Sequence, residues 1–271
     1  MTYLDEMFGL VGRTAIVAGG AGAIGSAMSE TLLKAGAKVV VWSRSDDSLR
    51  NVRAKLMQVS NGKDCIFTHR VDTASEQQVV EAFEQCIKEV GEAEILINAV
   101  GGNMGKSDFI ETDLDLFTKI IELNLMAGLM VPTKVVASHW IKNRIKGTII
   151  NLASMTSYNP LSGVWAYDAA KAAVLNLTKA TANEFAVHRI RVNAIAPGFF
   201  LGKQNRSLLV NQETGEFTAR GRAIIERTPW GRLGDISELA GVTLFLASAK
   251  ASGFATGICI PVDGGYLAHN I

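Results

Sequence analysis

Runs of apolar, largely β-branched residues alternate with segments of helical periodicity along almost the whole chain, and this alternation limits the possible folds more than any other feature. Strands are expected at 14–18, 38–42, 65–70, 95–98, 148–152, 191–196 and 258–262, with helices over 24–35, 75–90, 113–142 and 164–187. Strands that alternate with helices predict an α/β protein whose doubly wound parallel sheet carries helices on both faces. The 271 residues suit one large domain spanning the whole chain, with no linker and no internal repeat. Only 199–228 breaks the rhythm, with the polar stretch Asn211-Gln212-Glu213-Thr214-Gly215-Glu216 inside it. Excursions of that length are lids, binding loops or passive loops. Its place after a strand end favours a helical lid over a substrate site.

Lys and Arg total 27 against 26 Asp and Glu, and the two signs are interspersed, so nothing points to nucleic acid or a membrane surface as partner. The first residues carry Asp5 and Glu6 where a secretory signal needs basic residues. No stretch approaches the roughly 20 apolar residues of a membrane span. Cys65, Cys86 and Cys259 are odd in number and widely spaced, and read as buried free thiols. His69, His139, His188 and His269 are equally scattered, so no metal site is expected. These features suggest a soluble, cytoplasmic protein that acts on a small molecule.

The first strand runs into Gly19-Gly20-Ala21-Gly22-Ala23-Ile24-Gly25 and then a helix. Such a turn lets backbone amides approach a pyrophosphate at a helix N-terminus. Gly19, Gly20, Ala21, Ala23, Ile24 and Gly25 are therefore candidates for binding a dinucleotide, the alternative being a plain tight turn. An acid ending the second strand would hold an adenosine 2′-hydroxyl, but the chain reads Ser43-Arg44-Ser45. A guanidinium and two hydroxyls suit a 2′-phosphate, so NADP is preferred over NAD. Arg44 stacking on adenine or pointing to water stays open, and Asp46 and Asp47 are close enough to complicate the choice. Asp72 is placed to accept from the adenine amino group. Asn98, Ala99 and Gly101 close the fourth strand where the cofactor would pass.

Tyr167 and Lys171 are four residues apart, so on a helix they share one face. A free phenol, with a pKa of about 10, is a poor base at neutral pH. A neighbouring ammonium is expected to lower that value and let the tyrosine exchange a proton with a hydroxyl or carbonyl. Ser154, at the end of the apolar run 147–153, would hold the carbonyl oxygen. Tyrosine and lysine at this spacing are usually only surface and core, and it is the upstream serine that raises the functional reading.

Taken together, the motifs resemble the short-chain dehydrogenases/reductases over essentially the whole chain. The resemblance rests on the turn at 19–25, Asp72, Asn98-Ala99-Val100-Gly101, Asn124 and Ser154. It rests equally on Tyr167 with Lys171, on Arg191-Val192-Asn193-Ala194-Ile195-Ala196-Pro197-Gly198, and on Val262-Asp263-Gly264-Gly265. It implies a single Rossmann-like domain, NAD or NADP, and pro-S hydride transfer between alcohol and carbonyl. It also implies the catalytic set Asn124, Ser154, Tyr167 and Lys171. In that set Asn124 helps hold a water that relays protons from Lys171, while Lys171 also binds the nicotinamide ribose. Pro197 and Gly198 are implied at the nicotinamide, and the family's common homotetramer is implied for assembly. Three positions depart from the pattern: Ala23 for a glycine, Ala18 for a threonine before the turn, and Gly202 for a threonine beyond Pro197-Gly198.

Within the family, Phe199-Phe200-Leu201, Gln204-Asn205-Arg206, Thr214-Gly215-Glu216 and Thr228-Pro229-Trp230-Gly231-Arg232 resemble members named D-mannonate oxidoreductase or fructuronate reductase. So does Gly101-Gly102-Asn103. A hexuronate needs a cation for its carboxylate and several hydrogen-bonding groups for its hydroxyls. Lys203 and Arg206 are candidates for the carboxylate, or form a solvated lid surface. Asn103, Asn159 and Asn205 are candidates for the hydroxyls, with Asn159 before Pro160 also a turn former. Trp165 either walls the site or packs at a subunit contact. Rival readings are a carbonyl or 3-oxoacyl thioester reductase and a cofactor-binding regulatory protein without turnover. An epimerase or dehydratase using bound cofactor is disfavoured, because such relatives usually carry a larger C-terminal substrate domain.

Overall fold

The computed structural model describes residues 2–60, 64–202, 209–212 and 214–270. A short helix α1 (Tyr3–Phe8) precedes β1 (Thr14–Ala18), and α2 (Ala23–Lys34) leads to β2 (Lys38–Ser43). Then come α3 (Asp46–Val59), β3 (Ile66–Arg70), α4 (Glu76–Val90) and β4 (Ile95–Asn98). Helix α5 (Leu114–Ile121) passes through a π-helical segment, Glu122–Met130, into α6 (Val131–Asn143). The chain continues through β5 (Thr148–Leu152), α7 (Trp165–Phe185), β6 (Arg191–Pro197), α8 (Ala219–Glu226), α9 (Ala240–Ala247) and β7 (Cys259–Val262).

The seven strands form one parallel sheet in the order β3-β2-β1-β4-β5-β6-β7. Successive side chains of a strand point to opposite faces, so each strand feeds two cores. Val17, Val39, Val41, Ile97 and Ile150 pack on one face against Met28 and Leu32 of α2 and Leu49, Val52 and Leu56 of α3. Ile16, Val40, Leu96, Ile149 and Val192 pack on the other against Val79 and Phe83 of α4 and Val136 and Trp140 of α6. All five residues of β1 and all seven of β6 are buried, which explains why they read as continuous apolar runs.

The expected strands 14–18, 95–98 and 148–152 appear with those bounds; the others shift by a residue at one end. Helix α3 is absent from the sequence reading. Its signals are the Ser45 hydroxyl accepting from the Ser48 amide, Asp46 and Asp47 in the first turn, and apolar Leu49, Val52 and Leu56. The expectation about membrane spans needs correcting in one place. The joined helix Leu114–Asn143 is long and apolar enough to cross a bilayer, yet 56% of its most apolar window is buried inside the fold. The thiols also differ from expectation: Cys86 is buried, but Cys65 and Cys259 are half-buried.

The 199–228 excursion contains α8 and a small cluster of its own, Leu209, Val210 and Ile224, packed with Phe199, Leu201 and Leu233. Its expected substrate groups Lys203, Asn205 and Arg206 lie outside the described residues.

At the opposite edge of the sheet, Arg191 is a buried cation bonded to neutral groups. It donates to Ser252 Oγ and to the Leu246 carbonyl, both at 2.9 Å, and burial brings its pKa down to about 10. The Leu246 carbonyl lies in the last turn of α9, where a cation also opposes the helix dipole. Arg191→Ala is expected to cost about 2–4 kcal/mol, read as a lower urea midpoint at unchanged slope.

Candidate active site

Strand order reverses between β1 and β4, and in an open parallel sheet the strands' C-terminal ends leave a crevice at that point. Gly19 follows β1 with φ +77°, and a Cβ there would stand 2.7 Å from the Ala99 carbonyl carbon and the Val100 nitrogen. Gly25, in the first turn of α2, has the Gly19 carbonyl oxygen 2.4 Å from where a Cβ would be. Gly22 caps α2 with no side-chain hydrogen bond, so no side chain occupies the anion-favouring end of that helix. These features form a cradle fitting the pyrophosphate of a dinucleotide.

At the end of β2, Asp46 meets Arg70 at 3.4 Å and Asp47 pairs with Arg50. The two acids that complicated the cofactor choice are thus engaged, while Arg44 is exposed and makes no ion pair among the described residues. Ser43 is half-buried; Ser45 spends its oxygen on the α3 cap. Asp72 accepts the Ala74 amide at 3.1 Å and stays half-buried on the same side. Gly198, after buried Pro197, donates to the Val262 carbonyl, and a Cβ on it would meet Asp263 Cα at 2.7 Å.

Asn98, expected at the cofactor, points elsewhere. Its side chain is 1% exposed and donates to Thr133 Oγ1 and Asn151 Oδ1, both at 2.9 Å, and Asn151 in turn donates to Thr178 Oγ1. The ladder ties α6 and α7 through the sheet, so Asn98 braces the crevice instead of lining it.

Ser154 ends β5's loop and caps the turn Met155–Ser157, its Oγ accepting the Thr156 amide at 3.2 Å. It stands close enough to the Tyr167 phenol to favour its charged form. Lys171, one turn beyond on α7, is buried, with Nζ 5.7 Å from the tyrosine ring centre and donating to the Leu152 carbonyl at 2.8 Å. Burial pushes the phenol up from its ordinary value, Ser154 pulls it down, and the Asp168 charge pushes it up again. The expected lowering by Lys171 is therefore not what this arrangement provides: the lysine's own burial brings it down to about 8, and its ammonium is held by a backbone carbonyl.

Asn124 lies in the π-helical segment. Its Oδ1 accepts the Gly102 amide at 3.0 Å, and its Nδ2 donates to the Gly102 and Ile120 carbonyls at 2.7 and 2.9 Å. A Cβ on Gly101 would stand 2.6 Å from Asn124 Oδ1 and 3.1 Å from Lys171 Nζ, so glycine is what lets the two side chains meet there. The structure thus brings Ser154, Tyr167, Lys171 and Asn124 around one spot. Of the expected substrate groups, Asn103 is exposed and donates to the Gly105 carbonyl, and Asn159 is exposed in the loop after Ser154. Trp165 donates to the Ser107 carbonyl at 3.1 Å and stacks edge-on against Phe109, bracing the loop after β4.

A concavity of about 1870 Å³ runs along α2 between α1 and α3 and reaches the glycine turn only at Ala21, Gly22 and Ala23. Ser154, Tyr167 and Lys171 do not line it. The sequence reading also missed Asp168 and Thr156, which stand directly behind the serine and tyrosine; the signal was an acid amid alanines in the first turn of α7.

A family profile described as enoyl-(acyl carrier protein) reductase matches residues 19–267. The chain is 37% identical over 276 residues to the uncharacterized oxidoreductase UxuB of Bacillus subtilis (strain 168), covering 96% of this chain and 97% of that one. It is similar to a solved structure described as a D-mannonate oxidoreductase of Haemophilus influenzae with bound NAD, at 29% identity and TM-score 0.88, covering 98% and 99%. It is also similar to a gluconate 5-dehydrogenase of Burkholderia cenocepacia J2315 in complex with NADP and tartrate, at 30% identity and TM-score 0.87, covering 99% and 100%.

The lysine gives the site a stability signature. With Lys171 at about 8 in the fold against an ordinary 10.5, the unfolded chain binds more protons between those values, so this group's contribution to stability rises with pH there. The melting temperature of the protein relative to Lys171→Met is expected to climb across that window, measured by calorimetry.

Proposed function

The chain belongs to the short-chain dehydrogenases/reductases, and from that premise we propose that it interconverts a secondary alcohol and a ketone on a sugar acid, with NADP(H) as preferred cofactor. The observation that carries this reading is the gathering of Ser154, Tyr167, Lys171 and Asn124 at the C-terminal edge of the sheet, with Lys171 Nζ 5.7 Å from the Tyr167 ring centre and beside Asn124 over Gly101. A nicotinamide cofactor along the glycine turn supplies the hydride. Ser154 holds the substrate oxygen, and Tyr167 gives it a proton in reduction and takes one in oxidation. Burial keeps the phenol protonated, which suits the acid role. Lys171 binds the ribose and steadies the phenol oxygen; Asn124, clamped on Gly102, keeps the lysine's surroundings polar.

The sugar-acid class is supported by the gluconate and mannonate enzymes that the chain resembles. The 199–228 segment serves as the lid, with Lys203 and Arg206 as carboxylate partners. Exposed Phe109, Ile110, Leu114 and Phe254 suit the subunit contacts of a homotetramer.

Purified protein is expected to consume NADPH with D-fructuronate or D-tagaturonate and not with a 3-oxoacyl thioester. Tyr167→Phe should lower kcat by about 10²–10⁴. Thioester turnover alone removes the sugar-acid reading; NADPH binding without turnover on any substrate points to a regulatory protein.

The cofactor preference rests on Arg44, exposed and without an ion pair among the described residues while Asp46 and Asp47 are engaged by arginines. Similar structures hold either NAD or NADP, so the relatives leave the choice to this loop. Arg44→Ala is expected to raise KM for NADPH about tenfold or more and to leave KM for NADH nearly unchanged, in parallel steady-state assays.

A further inference from the structure

The helix that carries Tyr167 and Lys171 also carries a buried acid that the reaction above does not use. Asp168 is 7% exposed, between Tyr167 and the small residues Ala169 and Ala170, where an alanine would serve the helix equally well. Its Oδ2 accepts the Leu161 amide at 3.1 Å, tying the loop between Ser154 and α7 to the first turn of that helix. Its Oδ1 and the Thr156 hydroxyl are both buried without a hydrogen bond of good geometry, yet Thr156 lies close enough to favour the charged carboxylate. The Thr156 amide donates to Ser154 Oγ at 3.2 Å, and Ser154 stands close enough to the Tyr167 phenol to favour its charged form. These neighbours lead off the helix from residue 168 and back to it at 167. A second tie runs beside it: Ser157 Oγ accepts the Ser154 amide at 3.3 Å and donates to the Lys171 carbonyl at 2.7 Å.

We propose that Asp168 is a positioning residue, which fixes the 155–164 loop and, through Thr156, the Ser154 hydroxyl against α7, and which sets a negative charge beside the Tyr167 phenol. The inference rests on the roles given above to Ser154 and Tyr167. Holding that charge is costly. Burial raises the carboxyl to about 6 against an ordinary 3.8, so between those values the fold binds more protons than the unfolded chain and this group's contribution to stability falls as pH rises. The charged form at neutral pH is thus kept against the interest of stability, the pattern of a functional group.

Among the described residues no other charge is bonded to it, and Lys106, against Gly163 of the same loop, does not figure among the influences on its carboxyl. On its own helix the neighbours are Tyr167 and Lys171, whose Nζ is taken by the Leu152 carbonyl. The turn 155–157 and strand β5 carry no charge. Helix α5 and the segment after it offer Asp115, Lys119 and Glu122, all exposed, and β6 offers only Arg191, bonded to Ser252 and Leu246. Asp168 therefore acts on the phenol, which its charge holds in the protonated form.

Two readouts that need no substrate test this, so failure of the substrate assignment would leave them intact. Hydrogen exchange of the 155–164 amides is expected to quicken in Asp168→Ala, with kcat lowered about tenfold or more once a substrate is in hand. Asp168→Asn, which keeps an acceptor for Leu161, is expected to restore protection. Tyrosinate absorbance, taken as the difference from Tyr167→Phe, should show the phenol in Asp168→Asn ionising at lower pH than in the unaltered protein. Unchanged exchange in Asp168→Ala, or an unmoved phenol in Asp168→Asn, overturns the proposal. Should Asp168→Ala fail to fold, Thr156→Val carries the exchange measurement with the same expected quickening.

Discussion

Where the strand order of the sheet reverses, the ends of β1 and β4 approach until only a hydrogen fits between Gly19 and the Ala99–Val100 peptide. Everything in the site is referred to that contact. It turns the chain into α2 with the helix N-terminus free of side-chain caps, and it brings the Gly101-Gly102 segment over the edge of the sheet. Asn124 then clamps Gly102 through both side-chain atoms, and the absence of a side chain on Gly101 lets Lys171 come up beside it. A parallel sheet puts all its strand C-termini on one edge, so Ser154 after β5 and Gly198 after β6 arrive on the same side without further arrangement.

Below that edge, polar side chains are joined by a small set of cross-strand ties. Asn98 and Asn151 bond to each other through the centre of the sheet and to threonines on α6 and α7. The ladder ties the helices to the strands that carry the site and leaves the buried Asn98 Oδ1 without a partner among the described residues, at the desolvation cost of that oxygen. The rigid part thus ends at the strand tips, and the 199–228 excursion, with its own apolar cluster, is joined to it through short bridges such as Phe200 with Gly234.

Much of this was readable from residue pattern. Three strands fall on the bounds that their apolar runs suggest, each of them buried along its whole length. Helix α3 escaped notice because its mean hydropathy is low and only three residues face the core. The π-helical segment is invisible to periodicity, since it depends on Asn124 taking the Ile120 carbonyl and reaching across to Gly102. Asn98 was misplaced for a related reason. Position in a motif says where the backbone runs, and the alternation of a strand decides which way the side chain goes. Spacing likewise placed Lys171 beside Tyr167, but which oxygen its ammonium would find, that of Leu152, is set by β5 and lies beyond any local pattern.

The electrostatics of the site follow from that last point. Burial drives the tyrosine and the lysine each toward its neutral form, the phenol upward and the amine down to about 8, so neither on its own supplies a strong base. Ser154 opposes this for the phenol and Asp168 reinforces it. The outcome is a phenol kept in its protonated form, near a serine whose oxygen already accepts the Thr156 amide. For alcohol oxidation the same phenol must first give up its proton. That step needs positive charge brought close to the oxygen, and Lys171 is the cation within one helical turn that can provide it once it is drawn from the Leu152 carbonyl. The two directions of the reaction therefore place different demands on one lysine, and its backbone partner is where those demands are balanced.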